Sequence, residues 1–111
     1  MSEIKTKKIE AFGIKLYADE NGREIARTYL YFMKNDLHET PFGLMEDVFV
    51  EPDHRKEGLG SKIVEEAIKV AREQGCYKLI CTSRHSKPEI HAWYQRHGFV
   101  DQGKEFRMDF K

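Results

Sequence analysis

The sequence predicts an α/β (α+β) fold, in which a mixed, mostly antiparallel sheet contains a central βαβ crossover and carries helices on its faces. Asn21-Gly22 lies between two strand-like stretches, and this dipeptide is a strong signal for a β-hairpin. Farther along, apolar residues recur at helical spacing between two further strand-like stretches, as in a crossover that returns a parallel strand to the same sheet. The predicted order is β-β-β-α-β-α-β, with one more strand allowed at the end.

Three hairpin-connected strands are predicted first. They cover residues 12–18, 24–33 and 43–50, which alternate loosely or are rich in β-branched and aromatic residues. Residues 34–42 are predicted to form a loop, marked by Asn35-Asp36 and by Pro41-Phe42 just before Gly43. Residues 1–8 are polar and lysine-rich, and we expect them to fray.

The crossover follows the third strand. Residues 61–74 are predicted to form an amphipathic helix, which Gly75 ends just past its last turn. Residues 77–82 are predicted to form the return strand, and their apolar composition indicates a central position in the sheet.

The remaining elements are a second helix and final strands. Ser86 and Glu89 have the spacing of a capping box, which predicts a helix with Ser86 as its N-cap and Gly98 just past its end. Residues 99–110 are predicted to supply one or two last strands, broken near Gly103.

Composition limits the class of protein. The chain has 111 residues, enough for a single domain covering 1–111, and its 40% hydrophobic content argues against disorder. Lys+Arg and Asp+Glu both number 19, so net charge favours neither nucleic acid nor an anionic membrane as partner. Neither a membrane-length apolar run nor a signal peptide is recognised, so a cytoplasmic location is expected.

The two cysteines are expected to be reduced. Cys76 and Cys81 flank one predicted strand, which would hold them ~16 Å apart if extended, too far for a disulfide. The histidines do not form the i,i+4 pairs or Cys/His clusters that hold zinc, so no metal site is predicted.

A glycine-containing loop joins the third strand to the first helix. It reads Arg55-x-x-Gly58-x-Gly60, and its glycines would let the backbone approach a ligand closely. The helix start that follows offers unpaired amides and a positive dipole end, which suit a phosphate or pyrophosphate. A tight turn without a ligand explains the same glycines, because short glycine motifs match by chance. The spacing is that of neither a P-loop nor a G-x-G-x-x-G dinucleotide site.

Two motifs, in the same order along the chain as in a known family, resemble that family's motifs. The run V-x-P-x-x-R-x-x-G-x-G over residues 50–60 is similar to the acetyl-coenzyme A signature of GNAT-type N-acetyltransferases. Trp93-Tyr94-x-x-x-Gly98-Phe99 is similar to that family's later motif. The resemblance extends from about Tyr17 to the last residue, and it includes the glucosamine-phosphate and polyamine acetyltransferase branches. Lys56 stands where members often carry glycine.

The resemblance implies an enzyme. It would use acetyl-coenzyme A as co-substrate and transfer the acetyl group to a primary amine by direct attack. The matching coenzyme-binding positions are Val48, Phe49, Val50, Arg55, Lys56, Glu57, Gly58, Leu59, Gly60, Ser61 and Tyr94. Val48–Val50 would supply main-chain amides to the carbonyl, and Tyr94 would act as acid near the sulfur. Glu46 is favoured over Asp47 as base, on the expectation that adjacent strand residues point to opposite faces.

Each assignment has a structural alternative. Tyr94 could be a core tyrosine beside Trp93, and Glu46 a solvated strand carboxylate. His91 could relay a proton or simply be a half-exposed helix histidine. Lys87 stands where many members have a coenzyme-contacting asparagine, and it could meet a phosphate instead.

The sequence says least about the part of the site that would bind the amine acceptor. About eleven residues precede the first hairpin, where similar proteins carry a strand and helices that wall the acceptor site. An open site would suit a protein amine, whereas a site closed by a second subunit would suit a small amine. A homodimer is favoured weakly, with Tyr29, Tyr31, Phe32 and residues 106–110 as candidate interface. The alternative functions are a non-catalytic coenzyme-binding module, as a sensor or subunit, and a structural domain without a ligand.

Overall fold

A computed structural model describes residues 2–111 and divides them into two compact units, one running to Ile80 and one from Cys81 to Lys111. The first unit is a four-stranded sheet with one helix, and the second contains a shorter helix. The elements are β1 (Ala11–Glu20), β2 (Arg23–Met33), β3 (Phe42–Val50), a 3₁₀ turn (Pro52–His54), α1 (Leu59–Glu73), β4 (Leu79–Ile80) and α2 (Pro88–Arg96).

The sheet has the order β1-β2-β3-β4, antiparallel between the first three strands and parallel between β3 and β4. This arrangement confirms the predicted mixed, mostly antiparallel sheet and its βαβ crossover. The first hairpin turns at Asn21 and Gly22, whose φ angles of 54° and 80° lie in the left-handed region that a tight hairpin turn requires.

The core lies between one face of the sheet and α1. Alternate residues of β2 are at most 2% exposed, as expected for the inward row of a strand, and α1 packs against β2 and β3. The buried side chains are Ile25, Ala26, Thr28, Leu30 and Phe32 from β2, Met45 from β3, and Ile63, Val64, Ala67 and Ala71 from α1. Phe32 is therefore a core residue, with its ring centre 4.9 Å from that of Phe12 and the two rings tilted by 30°, whereas Tyr31 is 42% exposed.

Helix α1 ends as its sequence predicts. Gly75 has a φ of 78°, its amide donates to the Arg72 carbonyl, and the Cys76 amide donates to the Ala71 carbonyl, each at 3.0 Å. These bonds satisfy carbonyls of the last helical turn. The two cysteines do not form a disulfide.

The prediction that the return strand is central was wrong. Strand β4 contains only Leu79 and Ile80 and forms the edge of the described sheet, with Ile80 39% exposed. Residues 99–110 were predicted to form the last strands and form none. A strand is held by hydrogen bonds to a neighbour; β4 pairs only with β3, and the described sheet contains no strand from residues 99–110.

The predicted capping box was also wrong. Helix α2 begins at Pro88, with Lys87 rather than Ser86 at the N-cap and no capping bond from a side chain. Proline favours the first helical position, and it pushes the residue before it out of the helical region. Lys87 accordingly has φ −123° and ψ 66°, which moves the helix start one residue beyond the predicted position.

We expect Leu30→Ala to lower the free energy of unfolding by ~2–5 kcal/mol, because Leu30 is fully buried and its truncation leaves a cavity. Leu37→Ala is the matched control, since Leu37 is 85% exposed and should tolerate the same change. Urea unfolding followed by circular dichroism measures both. Equal midpoints for the two variants would contradict this position of the core.

Candidate functional site

Strand β3 is interrupted by a β-bulge shortly before its end. Tyr29 pairs with Glu46 and Arg27 pairs with Phe49, so the single residue between them on β2 faces both Asp47 and Val48. Asp47 has a φ of 60°, in the left-handed region. A bulge disrupts the hydrogen-bond ladder and leaves the extra residue unpaired. Main-chain groups of β3 can therefore turn toward a ligand at this point.

Thr28 holds the bulge from the neighbouring strand. Its side chain is fully buried, and its hydroxyl donates to the Glu46 carbonyl at 2.9 Å. This bond satisfies a buried hydroxyl and bridges the two strands where the ladder is irregular. Sequence reasoning missed Thr28, because threonine is an ordinary strand residue and no sequence signal distinguishes this one.

The bulge places Glu46 and Asp47 on the same face of the sheet. Glu46 lies opposite Tyr29, and the Asp47 carboxylate lies 3.8 Å from the guanidinium of Arg27, two residues along β2 from Tyr29 and so on its face. The expectation that only one of the two carboxylates faces a given side was therefore wrong. Both side chains are exposed.

The two carboxylates differ in their partners. Arg27 contacts Asp47, lies 3.6 Å from Glu24 and sits 4.8 Å from the centre of the Phe49 ring. Among the described residues, no ion pair involves Glu46. Glu46 is therefore the carboxylate of this pair that no side-chain cation of the described residues occupies.

The glycine loop leads directly into α1. Gly58 is the N-cap residue, with a φ of 79° that glycine adopts at no steric cost, and a Cβ at this position would meet only open space. The Lys62 amide makes a helical bond to the Gly58 carbonyl at 3.1 Å. No side chain caps the helix start, and its first turn contains no acidic residue. The positive end of a 15-residue helix is therefore open to an anion.

Two side chains of the loop, those of Arg55 and Glu57, have partners outside the first turn of α1. The Nε of Arg55 donates to the Val50 carbonyl at 2.8 Å, and its guanidinium lies 5.6 Å from the centre of the Phe49 ring, which ties the loop to the end of β3. The Glu57 carboxylate contacts Nδ1 of His54 at 3.2 Å. Lys56 is exposed. The loop carboxylate therefore has a partner within the loop itself.

Tyr94 belongs to the second unit and is half-buried on α2. Its ring packs edge-on against Phe99 at 5.6 Å and lies 5.2 Å from the Trp93 ring. Burial, and to a smaller extent the charge of Cys81, raises the pKa of Tyr94 to about 12. The phenol therefore keeps its proton throughout the physiological range and can act as a hydrogen-bond donor.

The second unit contains two other candidate residues, His91 and Lys87. Nε2 of His91 lies 2.7 Å from the Arg84 carbonyl, so Nε2 carries the proton in this bond. Lys87 is exposed at the N-cap of α2. Over residues 2–111, no group of three or more His, Cys, Asp or Glu side chains is arranged to hold a metal ion.

The family model for acetyltransferases of the GNAT family matches residues 4–99. A probable glucosamine 6-phosphate N-acetyltransferase of Oryza sativa is 40% identical over 70 residues, which cover 61% of this chain and 39% of the relative. A glucosamine 6-phosphate N-acetyltransferase of Candida albicans is 33% identical over 91 residues, covering 81% of this chain and 59% of the relative.

Solved structures give the same result for the fold. A putative acetyltransferase from Agrobacterium tumefaciens superposes with a TM-score of 0.77 at 30% identity, covering 84% of this chain and 65% of that one. A Trypanosoma brucei acetyltransferase superposes with a TM-score of 0.79 at 25% identity, covering 88% and 69%. The aligned part of the chain spans about two fifths of the length of the rice relative, at 39%. No helix of the described residues has the length and apolar content to cross a membrane.

Proposed function

This chain belongs to the acetyltransferase (GNAT) family, and on that premise we propose that it transfers the acetyl group of acetyl-coenzyme A to a primary amine by direct attack. One observation carries the proposal: a bulged strand leads through an open glycine loop into a helix start that no side chain caps. The names of its relatives support an amine acceptor, since they include glucosamine 6-phosphate and thialysine N-acetyltransferases.

The residues of the first unit fit the coenzyme by their chemistry. A pyrophosphate is an anion, and the open N-terminus of α1 presents main-chain amides and a positive dipole to it. Arg55–Ser61 would hold this part of the coenzyme, and Val48–Val50 would lie along its acyl arm. The contact between Glu57 and His54 favours this assignment, because a carboxylate in the loop would repel the anion and this one is engaged by His54.

Coenzyme bound there supplies an activated acyl group, and the protein supplies proton acceptors and donors. Glu46 takes a proton from the attacking amine, directly or through water. Main-chain amides beside the bulge donate to the carbonyl oxygen as it gains negative charge. A C–N bond forms, the C–S bond breaks, and the phenol of Tyr94 donates a hydrogen bond to the departing sulfur. We assign the role of base to Glu46 rather than Asp47 because Asp47 already has Arg27 as an ion-pair partner at 3.8 Å.

Glu46→Gln should lower turnover by less than the ~10²-fold typical of an essential base, because water can partly replace an exposed carboxylate. It should also weaken the rise of kcat/KM with pH, since the residue that accepts the proton is gone. Asp47→Asn is the matched control and should leave the slope of the profile unchanged. A normal profile in Glu46→Gln together with an altered one in Asp47→Asn would assign the base to Asp47.

The decisive experiment combines acetyl-coenzyme A with a panel of amines and measures the release of free thiol. The panel contains glucosamine 6-phosphate, an aminoglycoside, a polyamine and a lysine peptide, with an amine-free reaction as control. Thiol release that requires an amine supports the proposal. Binding measured by calorimetry without any turnover would indicate a coenzyme-binding module instead, and an absence of binding would overturn both.

A further inference from the structure

We propose that the side chain of Phe49 is a positioning residue through which the protein selects acyl donors that carry phosphate groups. Its ring restrains the guanidinium of Arg55, which stands at the beginning of the glycine loop. This role rests on the proposed function, since the acyl donor is acetyl-coenzyme A. It adds a task for the Phe49 side chain to the main-chain contacts that Val48–Val50 would make.

Arg55 is restrained at two points, both at the end of β3. Its Nε donates to the Val50 carbonyl at 2.8 Å, and its guanidinium carbon lies 5.6 Å from the centre of the Phe49 ring. A cation within ~6 Å of an aromatic ring centre is attracted by the negative face of the ring. The hydrogen bond restrains one nitrogen and the ring restrains the planar group around it. Together they limit the directions in which the two Nη atoms of Arg55 can point.

The charge of Arg55 is available to an anion. A guanidinium has five N–H donors, and the bond to the Val50 carbonyl uses one of them. None of the ion pairs found within residues 2–111 includes Arg55. The residue stands three positions before Gly58, the N-cap of a helix whose start no side chain caps. A restrained guanidinium this close to an open helix start suits phosphate, because its Nη atoms can donate two parallel bonds to phosphate oxygens.

A second arginine contacts the same ring but is already occupied. Arg27 pairs with Phe49 across the two strands, and its guanidinium carbon lies 4.8 Å from the ring centre. Its charge faces two carboxylates, that of Asp47 at 3.8 Å and that of Glu24 at 3.6 Å. These carboxylates also reduce the repulsion between the two guanidinium groups at one ring. Of the two arginines, Arg55 is therefore the one that can serve the coenzyme.

An aliphatic side chain would not replace Phe49 in this role. Phe49→Leu keeps an apolar side chain at a half-buried position of β3 but removes the ring, and with it the attraction for a cation. The guanidinium of Arg55 would then keep its Nε bond and lose part of its orientation in the unbound protein. Orientation that is lost before binding must be restored on binding, which weakens affinity for the group that Arg55 contacts. Phe49→Tyr keeps the ring and is the matched control.

The preference between two acyl donors tests this role. Acetyl-coenzyme A carries phosphates, whereas acetyl-pantetheine presents the same thioester without them. We expect Phe49→Leu to lower kcat/KM for acetyl-coenzyme A ~5-fold, through KM rather than kcat, and to leave kcat/KM for acetyl-pantetheine unchanged. Phe49→Tyr should behave like wild type with both donors. Equal losses with both donors in Phe49→Leu would overturn the proposal, because the ring would then support the strand rather than the cation.

Calorimetry of acetyl-coenzyme A binding shows whether Phe49 acts through Arg55. Phe49→Leu should weaken binding by itself and have no further effect when combined with Arg55→Ala, since the cation through which it acts is then gone. Arg27→Ala is the control for general loss of positive charge and should bind like wild type, because Asp47 and Glu24 already occupy Arg27. Additive losses in the Phe49→Leu/Arg55→Ala double variant would overturn the role of Phe49 and leave the coenzyme site standing. A wild-type chain that does not bind acetyl-coenzyme A would overturn the proposed function and this role with it.

Discussion

Gly60→Asp is expected to weaken the binding of acetyl-coenzyme A by ~100-fold or more, a loss of about 2.7 kcal/mol. Gly60 is the second residue of α1, inside the first turn, where main-chain amides would meet the pyrophosphate. A carboxylate there adds both bulk and negative charge at an anion site. The fold should survive, because an acidic residue near a helix N-terminus is favourable for the helix itself. Calorimetry of coenzyme binding measures the effect.

Two further variants show which property of Gly60 matters. Gly60→Ala adds one methyl group without charge, and it should bind the coenzyme more tightly than Gly60→Asp. Arg55→Ala should weaken binding less than Gly60→Asp, because main-chain amides supply most contacts and the Nε of Arg55 is engaged with the Val50 carbonyl. Wild-type affinity in Gly60→Asp would remove the coenzyme site from this loop.

The sequence correctly predicted the parts of the fold that are determined by residues close together along the chain. The Asn21-Gly22 turn, the amphipathic face of α1 and its ending at Gly75 all follow from backbone preferences and periodicity within a few residues. The position of the glycine loop followed in the same way, since it lies between a strand and a helix that are each recognisable. These elements place the candidate coenzyme loop.

The bulge of β3 could not be predicted in this way. Its sequence continues the strand pattern through Asp47 and Val48, and the irregularity arises from pairing with β2, where Thr28 donates to the Glu46 carbonyl. That contact joins residues 18 positions apart. The same limit explains residues 99–110: their alternation predicts a strand, but a strand also requires a neighbour, which an alternation pattern does not supply.

Tyr94→Phe is expected to lower turnover ~10²-fold, the loss typical of removing one hydrogen-bond donor to developing negative charge. Coenzyme affinity should change little, because the ring still packs against Phe99 and Trp93. Steady-state kinetics with the best acceptor of the amine panel measures turnover, and calorimetry measures affinity. Tyr77→Phe is the matched control, since Tyr77 is an exposed tyrosine of the first unit and its change should leave turnover intact.

The pKa of Tyr94 determines how its hydroxyl acts. A value of about 12 lies above the ~8.5 of an ordinary thiol, so full proton transfer to the departing sulfur is unfavourable and the phenol acts by hydrogen bonding. Because burial raises this pKa above its usual ~10, the phenol stays protonated through pH 10 and loses its proton only near pH 12. Wild-type turnover should therefore show no alkaline decline from Tyr94 below about pH 11. A fully active Tyr94→Phe variant would remove Tyr94 from the reaction and leave the assignments of the glycine loop, Val48–Val50 and Glu46 standing.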